Sequence, residues 1–185
     1  MHDRRQQPAI FWDRDGTLIE DRGHLGDPQE VEFFPFTFDA LRRLQSKYLF
    51  FIVTNQSGVG EGVIQADDVR RVNDHVVACL TNAGLSIAAT YVCPHRRADN
   101  CGCIKPNPHF LLEAAREFGV SLPRSFVVGD HPHDVELAVN AGAQGIYVCT
   151  GHGLKHRHEL RDTEVIVPDI LAAAEWILSQ PSAAI

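Results

Sequence analysis

The chain has 185 residues, a formal net charge of −7 and 44% hydrophobic residues. That length and composition suit one hydrophobic core, so residues 1–185 are predicted to form a single domain. The acidic charge, with no basic block, argues against nucleic acid or a membrane surface as a partner. No apolar run is long enough to span a membrane, and the polar segment 1–7 differs from a signal peptide. We therefore expect a cytoplasmic protein, and a monomer.

Short apolar runs alternate with amphipathic segments along the chain. Continuous apolar or β-branched runs predict strands at residues 10–12, 48–53, 89–92, 125–128, 145–149 and 165–167. Apolar residues that recur every three or four positions predict helices at residues 38–44, 66–83, 108–118, 135–141 and 169–179. Asn107 is expected to cap the third helix, with Pro108 in its first turn. This alternation predicts an α/β fold, with a parallel sheet covered by helices on both faces.

Polar side chains stand at the ends of the predicted strands or just beyond them. They are Asp13, Asp15, Thr54, Asn55, Lys105 and Asp130. Ligands of an open parallel sheet bind at the carboxyl ends of its strands. Two close carboxylates favour a shared Mg²⁺, a carboxylate can attack phosphorus, and a hydroxyl and an ammonium can hold phosphoryl oxygens. The pattern favours phosphoryl chemistry, whereas the first aspartate pair alone could be an acidic turn.

A second group of residues has metal-ligand spacing. Cys93, His95, Cys101 and Cys103 form the pattern C-x-H-x₅-C-x-C within eleven residues. Three thiolates and an imidazole can surround Zn²⁺ tetrahedrally and leave no open position, as in a structural site. The odd total of five cysteines also favours reduced thiols over disulfides. The alternative is an incidental or reactive cysteine cluster.

Four motifs occur in a characteristic order: D-R-D-G-T at 13–17, T-N-Q-S-G at 54–58, K-P at 105–106 and G-D-x-x-x-D at 129–134. Together they resemble the haloacid dehalogenase (HAD) superfamily of phosphatases, over essentially the whole chain. The resemblance implies a Rossmann-like three-layer α/β/α fold. It also implies that Asp134 orients the water shell of the metal.

The resemblance further implies a role for each strand-end residue. Asp13 would be the nucleophile and a Mg²⁺ ligand. Asp15 would be the general acid and base, and would reach the metal through its backbone carbonyl. Thr54 and Lys105 would stabilise the phosphoryl group, and Asp130 would be the second metal-ligating side chain. An acid at position 15 suits a phosphatase, which must protonate an alkoxide.

The sequence C-P-H before the cysteine cluster and I-K-P after it narrow the resemblance to the zinc-loop branch of the superfamily. In that branch a small loop, here residues 93–103, replaces a large mobile cap. The branch acts on D-glycero-D-manno-heptose 1,7-bisphosphate or on histidinol phosphate, and the motifs T-N-Q-S-G and T-G-H-G favour the sugar. The short spacing between His95 and Cys101 favours the alternative, histidinol phosphate. Remoter alternatives are a phosphotransferase and a catalytically silent homologue that acts as a binding module.

The same resemblance implies a substrate pocket formed by Asp21, Arg22, Gly23, His24, Thr54, Asn55, Gln56, Ser57, Ile104 and Lys105. Ile104 stands where the branch usually has arginine, so a bidentate cationic contact is missing unless Arg22, Arg96 or Arg97 replaces it. The histidines of segments 131–133 and 152–158 are interpreted as solvated surface positions. A weak contact of His131 with substrate phosphate is the alternative.

Overall fold

The computed structural model describes residues 6–161 and 164–180; most of the polar segment at the start of the chain, residues 1–5, lies outside them. The strands are Ala9–Trp12 (β1), Leu49–Asn55 (β2), Ala89–Cys93 (β3), Phe126–Gly129 (β4), Gln144–Val148 (β5) and Val165–Val167 (β6). The α-helices are Thr37–Leu44 (α1), Ser57–Gly60 (α2), Ala66–Asn82 (α3), His109–Phe118 (α4), Pro132–Ala141 (α5), Gly153–His156 (α6) and Ile170–Ser179 (α7). Short 3-10 helices are Pro28–Glu30, Arg97–Asp99, Leu122–Arg124 and Arg157–Glu159.

The strands form one parallel sheet in the order β3-β2-β1-β4-β5-β6. The chain builds outward from β1 to β3 on one side, then crosses back to β4 and continues outward on the other. The order of the strands therefore reverses between β1 and β4. This reversal opens a crevice at the carboxyl ends of the strands, which is where ligands bind in such folds.

Two hydrophobic cores cover the two faces of the sheet. Ile10 and Trp12 of β1 face a core formed with α1, α3 and α7, whereas Ala9 and Phe11 face a core formed with α4 and α5. Because all four residues are fully buried, β1 is apolar throughout its length. This arrangement confirms the predicted three-layer α/β/α fold. No helix in residues 6–161 and 164–180 has the length and apolar character needed to cross a membrane.

Every strand except β6 differs from its predicted bounds by one or two residues. β2 was predicted to end at Val53, but Thr54 and Asn55 pair with Val92 and Cys93 of β3 and so belong to the strand. The β2–β3 ladder therefore holds the backbone of both polar residues. β5 ends at residue 148 rather than 149, and the short helices α2 and α6 were not predicted.

The predicted cap of α4 is wrong. The helix begins at His109, and the residue before it is Pro108, which provides no side-chain cap. Asn107 instead donates from Nδ2 to the carbonyl oxygen of Cys101 at 3.0 Å. This hydrogen bond ties the cysteine-rich loop to the start of α4.

Candidate active site

Asp13 lies at the centre of the crevice, one residue beyond β1. Its backbone N–H donates to the carbonyl oxygen of Val128 at 2.9 Å, so the pairing of β1 with β4 continues to Asp13 and fixes its position. Lys105 Nζ lies 2.5 Å from Asp13 Oδ1 and 2.7 Å from Asp134 Oδ1. All three side chains are buried. The ammonium of Lys105 therefore bridges two carboxylates on different elements of the fold.

The carboxylates of Asp13, Asp130 and Asp134 lie within 4.8 Å of one another. Burial raises the pKa of Asp13 to about 7, although Lys105 opposes the shift. Burial and then the charge of Asp13 raise the pKa of Asp130 to about 8. Burial lowers the pKa of Lys105, but the neighbouring carboxylates outweigh it and the net shift is upward. A single ammonium does not balance three carboxylates, so a hard divalent cation such as Mg²⁺ fits this oxygen cluster.

Backbone groups hold the Asp130 carboxylate in place. Gly16 has a φ of 79°, and a Cβ there would lie 2.1 Å from Asp130 Oδ2, so only glycine permits this approach. The backbone N–H of His152 donates to the same oxygen at 2.6 Å. Thr150 Oγ1 donates to the carbonyl oxygen of Gly16 at 2.6 Å. Residues 150–152 thus hold both the first active-site turn and Asp130.

The carboxylate of Asp15 does not belong to the acidic cluster. Arg14 donates to it from Nε at 3.1 Å and from Nη2 at 2.8 Å, and Gln56 Nε2 donates at 2.7 Å. Gln56 also donates to Thr54 Oγ1, at 2.8 Å, and Thr54 Oγ1 is 3.5 Å from Asp15 Oδ2. Asn73 of α3 accepts from Arg14 Nη1 at 2.6 Å. Sequence reasoning assigned no role to Arg14 or Asn73, because an arginine in a turn and an asparagine on a helix carry no motif by themselves.

Three further residues of the predicted pocket are Asn55, Ser57 and Ile104. Asn55 Oδ1 accepts from the backbone N–H of Lys105 at 3.2 Å, so the end of β2 positions the backbone of Lys105. Ser57 is the first residue of α2 and is half-buried. Ile104 is 7% exposed, which leaves little of its side chain available to a ligand.

The loop after β1 contributes unevenly to the site. Asp21 Oδ2 lies 3.5 Å from His152 Nε2, so this carboxylate lies beside the residue whose backbone contacts Asp130. The ring of His24 lies so close to Gly58 that a Cβ on the glycine would be 2.4 Å from Nδ1. Arg22 is exposed and forms an ion pair with Glu32 on the surface. Gly23 donates from its backbone to Asp21 Oδ1 at 2.7 Å and closes the turn.

The cysteine-rich loop brings its four predicted ligands together. The sulfur atoms of Cys93, Cys101 and Cys103 lie 3.2–3.6 Å apart. His95 Nδ1 lies 3.7 Å from the Cys93 sulfur and 3.3 Å from that of Cys103. A tetrahedral site with Zn–S bonds of about 2.3 Å separates its sulfurs by about 3.7 Å, so the cluster fits zinc. All five cysteines of the chain are free thiols.

Comparisons with known proteins agree with this geometry. A HAD-hydrolase-like family model matches residues 102–174. A probable D-glycero-D-manno-heptose-1,7-bisphosphate 7-phosphatase of Thermoplasma acidophilum is 38% identical over 144 residues, which are 77% of this chain and 90% of that protein. The D-glycero-beta-D-manno-heptose-1,7-bisphosphate 7-phosphatase of Rhodopseudomonas palustris is 33% identical over 90% of this chain and 91% of its own.

A solved structure supports the same conclusion. The D,D-heptose 1,7-bisphosphate phosphatase from B. bronchiseptica, complexed with magnesium and phosphate, has a TM-score of 0.85 and 30% sequence identity. The match covers 93% of this chain and 98% of that one. Fold and site together define a HAD-type phosphatase, an enzyme that hydrolyses phosphate esters. The chain belongs to the D-glycero-D-manno-heptose-1,7-bisphosphate 7-phosphatase family, which confirms the resemblance found in the sequence.

Proposed function

We propose that this phosphatase removes the phosphate at C7 of D-glycero-D-manno-heptose 1,7-bisphosphate through an aspartyl phosphate on Asp13. The observation that carries the mechanism is the position of the Asp13 carboxylate, 2.5 Å from Lys105 Nζ at the β1–β4 crevice. The names of the relatives support the substrate. Attack by Asp13 on phosphorus would form the acyl phosphate bond and break the bond to the sugar oxygen.

The other side chains have roles in the same two steps. Asp15 would donate a proton to the departing sugar oxygen and then accept one from the water that hydrolyses the aspartyl phosphate. Arg14 and Gln56 hold the Asp15 carboxylate from two sides, which orients it for both transfers. Lys105 and Thr54 would hold phosphoryl oxygens as negative charge builds up during transfer.

We propose Mg²⁺ as the catalytic cofactor, held by the carboxylates of Asp13 and Asp130 and by the backbone carbonyl of Asp15. The surplus of negative charge in the cluster supports this assignment. When bound, the ion neutralises phosphoryl charge and the charge of the nucleophile. Asp134 holds Lys105 directly, at 2.7 Å, and so positions the ammonium as well as completing the acidic cluster.

We propose a structural Zn²⁺ at Cys93, His95, Cys101 and Cys103. Four protein ligands leave no position for water or substrate, so the ion would contribute stability rather than chemistry. The loop joins the end of β3 to Lys105, which follows Cys103 by two positions. Zinc would therefore fix the backbone that carries the catalytic ammonium.

We also propose that the enzyme acts as a monomer in the cytoplasm on a small phosphorylated metabolite. The five free cysteines support a reducing compartment. The net charge of −7 supports a small ligand held by local contacts, rather than a polyanion bound over a broad surface.

A substrate panel tests the proposal. Phosphate release is measured with Mg²⁺ for sugar bisphosphates, sugar monophosphates and histidinol phosphate, and heptose 1,7-bisphosphate is expected to give the highest kcat/KM. Histidinol phosphate is the second candidate because only five residues separate His95 from Cys101. A preference of about tenfold or more for histidinol phosphate, which is about 1.4 kcal/mol, would contradict the sugar assignment. Absence of phosphate release from every compound would favour the silent homologue.

A further inference from the structure

A cation and two stacked imidazoles border the site beside Lys105. Arg97, in the zinc loop, places Nη2 3.1 Å from His133 Nδ1 and 3.4 Å from the carbonyl oxygen of Lys105. The ring of His133 stacks on that of His131, with centroids 4.4 Å apart and ring planes inclined by 21°. The three residues come from the zinc loop and the start of α5, and we call them the Arg97 rim.

Arg97 differs from the other cations of segment 96–105. Arg96 forms an ion pair with Asp99, and Lys105 is held by Asp13 and Asp134. Within the part of the chain that the structure describes, Arg97 contacts no carboxylate. Both of its hydrogen bonds use Nη2, and the residue is exposed. Its Nε–H and Nη1 donors therefore remain available to an anion, in the planar arrangement that suits phosphate.

Hydrogen bonding also settles which ring nitrogens of the rim can donate. A guanidinium can only donate, so His133 Nδ1 must accept from Arg97 and the ring proton lies on Nε2. His131 Nδ1 accepts from the backbone N–H of His133 at 3.2 Å, which places its proton on Nε2 as well. Each imidazole is thus left with one N–H donor. The rim combines one fixed positive charge with neutral donors.

We propose that Arg97 and His133 bind the phosphate that is not transferred, at the end of a bisphosphate substrate remote from Asp13. This inference rests on the proposed function and adds the residues that select a second phosphate. Arg97 Nη2 donates to the backbone carbonyl of Lys105, the residue whose ammonium contacts Asp13. Ile104, the residue before Lys105, is apolar and buried, so its side chain cannot bind this phosphate and a neighbouring cation must do so.

The experiment compares heptose 1,7-bisphosphate with heptose 7-phosphate, which has the same leaving group and lacks the second phosphate. Wild type is expected to prefer the bisphosphate, and Arg97→Ala to lower kcat/KM for it about ten- to a hundred-fold, mainly through KM. Arg97→Ala should change kcat/KM for heptose 7-phosphate less than about twofold. Arg97→Lys keeps the charge but loses the planar guanidinium, so its kcat/KM for the bisphosphate should lie between those of wild type and Arg97→Ala. His133→Ala should lower the same preference by a smaller factor.

Arg116→Ala, which removes an exposed arginine of α4, is the matched control and should leave the preference unchanged. Zinc content and melting temperature of each variant separate loss of the loop from loss of a contact. Equal losses on both substrates, or an unchanged preference in Arg97→Ala, would overturn the inference while leaving the proposed function intact. If wild type hydrolysed neither heptose ester, the proposed function would fail first and the inference with it.

Discussion

Arg14 and Asp15, consecutive in the turn after β1, form an ion pair whose guanidinium is fully buried. Arg14 Nη2 lies 2.8 Å from Asp15 Oδ2, and the side chain of Arg14 is 0% exposed. Its Nη1 donates to Asn73 of α3 at 2.6 Å. A buried arginine keeps its charge and requires partners, so this pair fixes the rotamer of Asp15. The orientation of Asp15, the proposed general acid, therefore depends on a helix that carries none of the proposed catalytic residues.

Asn73→Ala tests that dependence. Loss of the amide oxygen frees one side of Arg14 and should misplace Asp15, which should lower kcat about tenfold with little change in KM. The loss should be larger for heptose 1,7-bisphosphate than for p-nitrophenyl phosphate, because a phenolate leaves readily without a proton. Asp74→Ala, which alters the exposed neighbouring position, is the control. Equal losses on the two substrates would show that Asn73 acts on overall structure and not through Asp15.

Asp130→Asn tests the charge balance of the acidic cluster in Mg²⁺-free, chelator-free buffer. The pKa of Asp130 is raised from 3.8 to about 8, so folding favours its protonated form. This stabilising contribution is complete below about pH 4 and is lost as the pH rises toward 8. The variant is neutral at every pH, so its melting temperature relative to wild type should be higher at pH 8 than at pH 5. Between pH 5 and pH 8, the unfolding free energy of the variant relative to wild type should rise by about 1–3 kcal/mol.

Two controls make the stability test specific. Saturating Mg²⁺ should stabilise wild type at pH 8 and reduce the advantage of the variant, because the ion balances the same charge. Asp39→Asn, at an exposed position of α1, should show little dependence on pH. A melting temperature of Asp130→Asn relative to wild type that is no higher at pH 8 than at pH 5, without Mg²⁺, would contradict the raised pKa.

Metal analysis tests the zinc loop. Protein purified under reducing, chelator-free conditions should contain about one zinc per chain that survives dialysis against Mg²⁺. Cys101→Ser should lose the zinc and lower the melting temperature, and kcat should fall because the backbone around Lys105 loosens. Cys79→Ser, which changes a cysteine of α3 outside the cluster, should retain zinc and activity. Protein without zinc, or a fully zinc-loaded Cys101→Ser, would refute a structural site.

The sequence was sufficient to predict the fold and the strand-end residues because both follow from local patterns. Buried strands read as continuous apolar runs, and polar residues at their carboxyl ends mark the open edge of a parallel sheet. The four proposed zinc ligands could also be found from the sequence, since all of them lie within one short segment. Most of the candidate site residues could therefore be predicted from their spacing in the sequence.

Contacts between distant segments could not be predicted in this way. Arg14 and Asn73 are 59 positions apart, and their pairing depends on how α3 packs over the first turn. The hold of residues 150–152 on Asp130 arises from two backbones that approach at Gly16 and Gly151. In the sequence, only Gly16 and Gly151 indicate that two backbones could approach so closely. The end of β2 was misjudged because Thr54 and Asn55 are polar, although the ladder with β3 includes them.

Phosphate release from heptose 1,7-bisphosphate by Asp13→Asn, with Mg²⁺ present, tests the central claim most directly. The amide keeps the shape of the side chain but is a poor nucleophile, so release should fall at least about a thousand-fold. Melting temperature and zinc content should show that the variant remains folded, and Asp39→Asn should retain wild-type turnover. Release by Asp13→Asn within a few-fold of wild type would contradict Asp13 as the nucleophile, and with it the proposed mechanism.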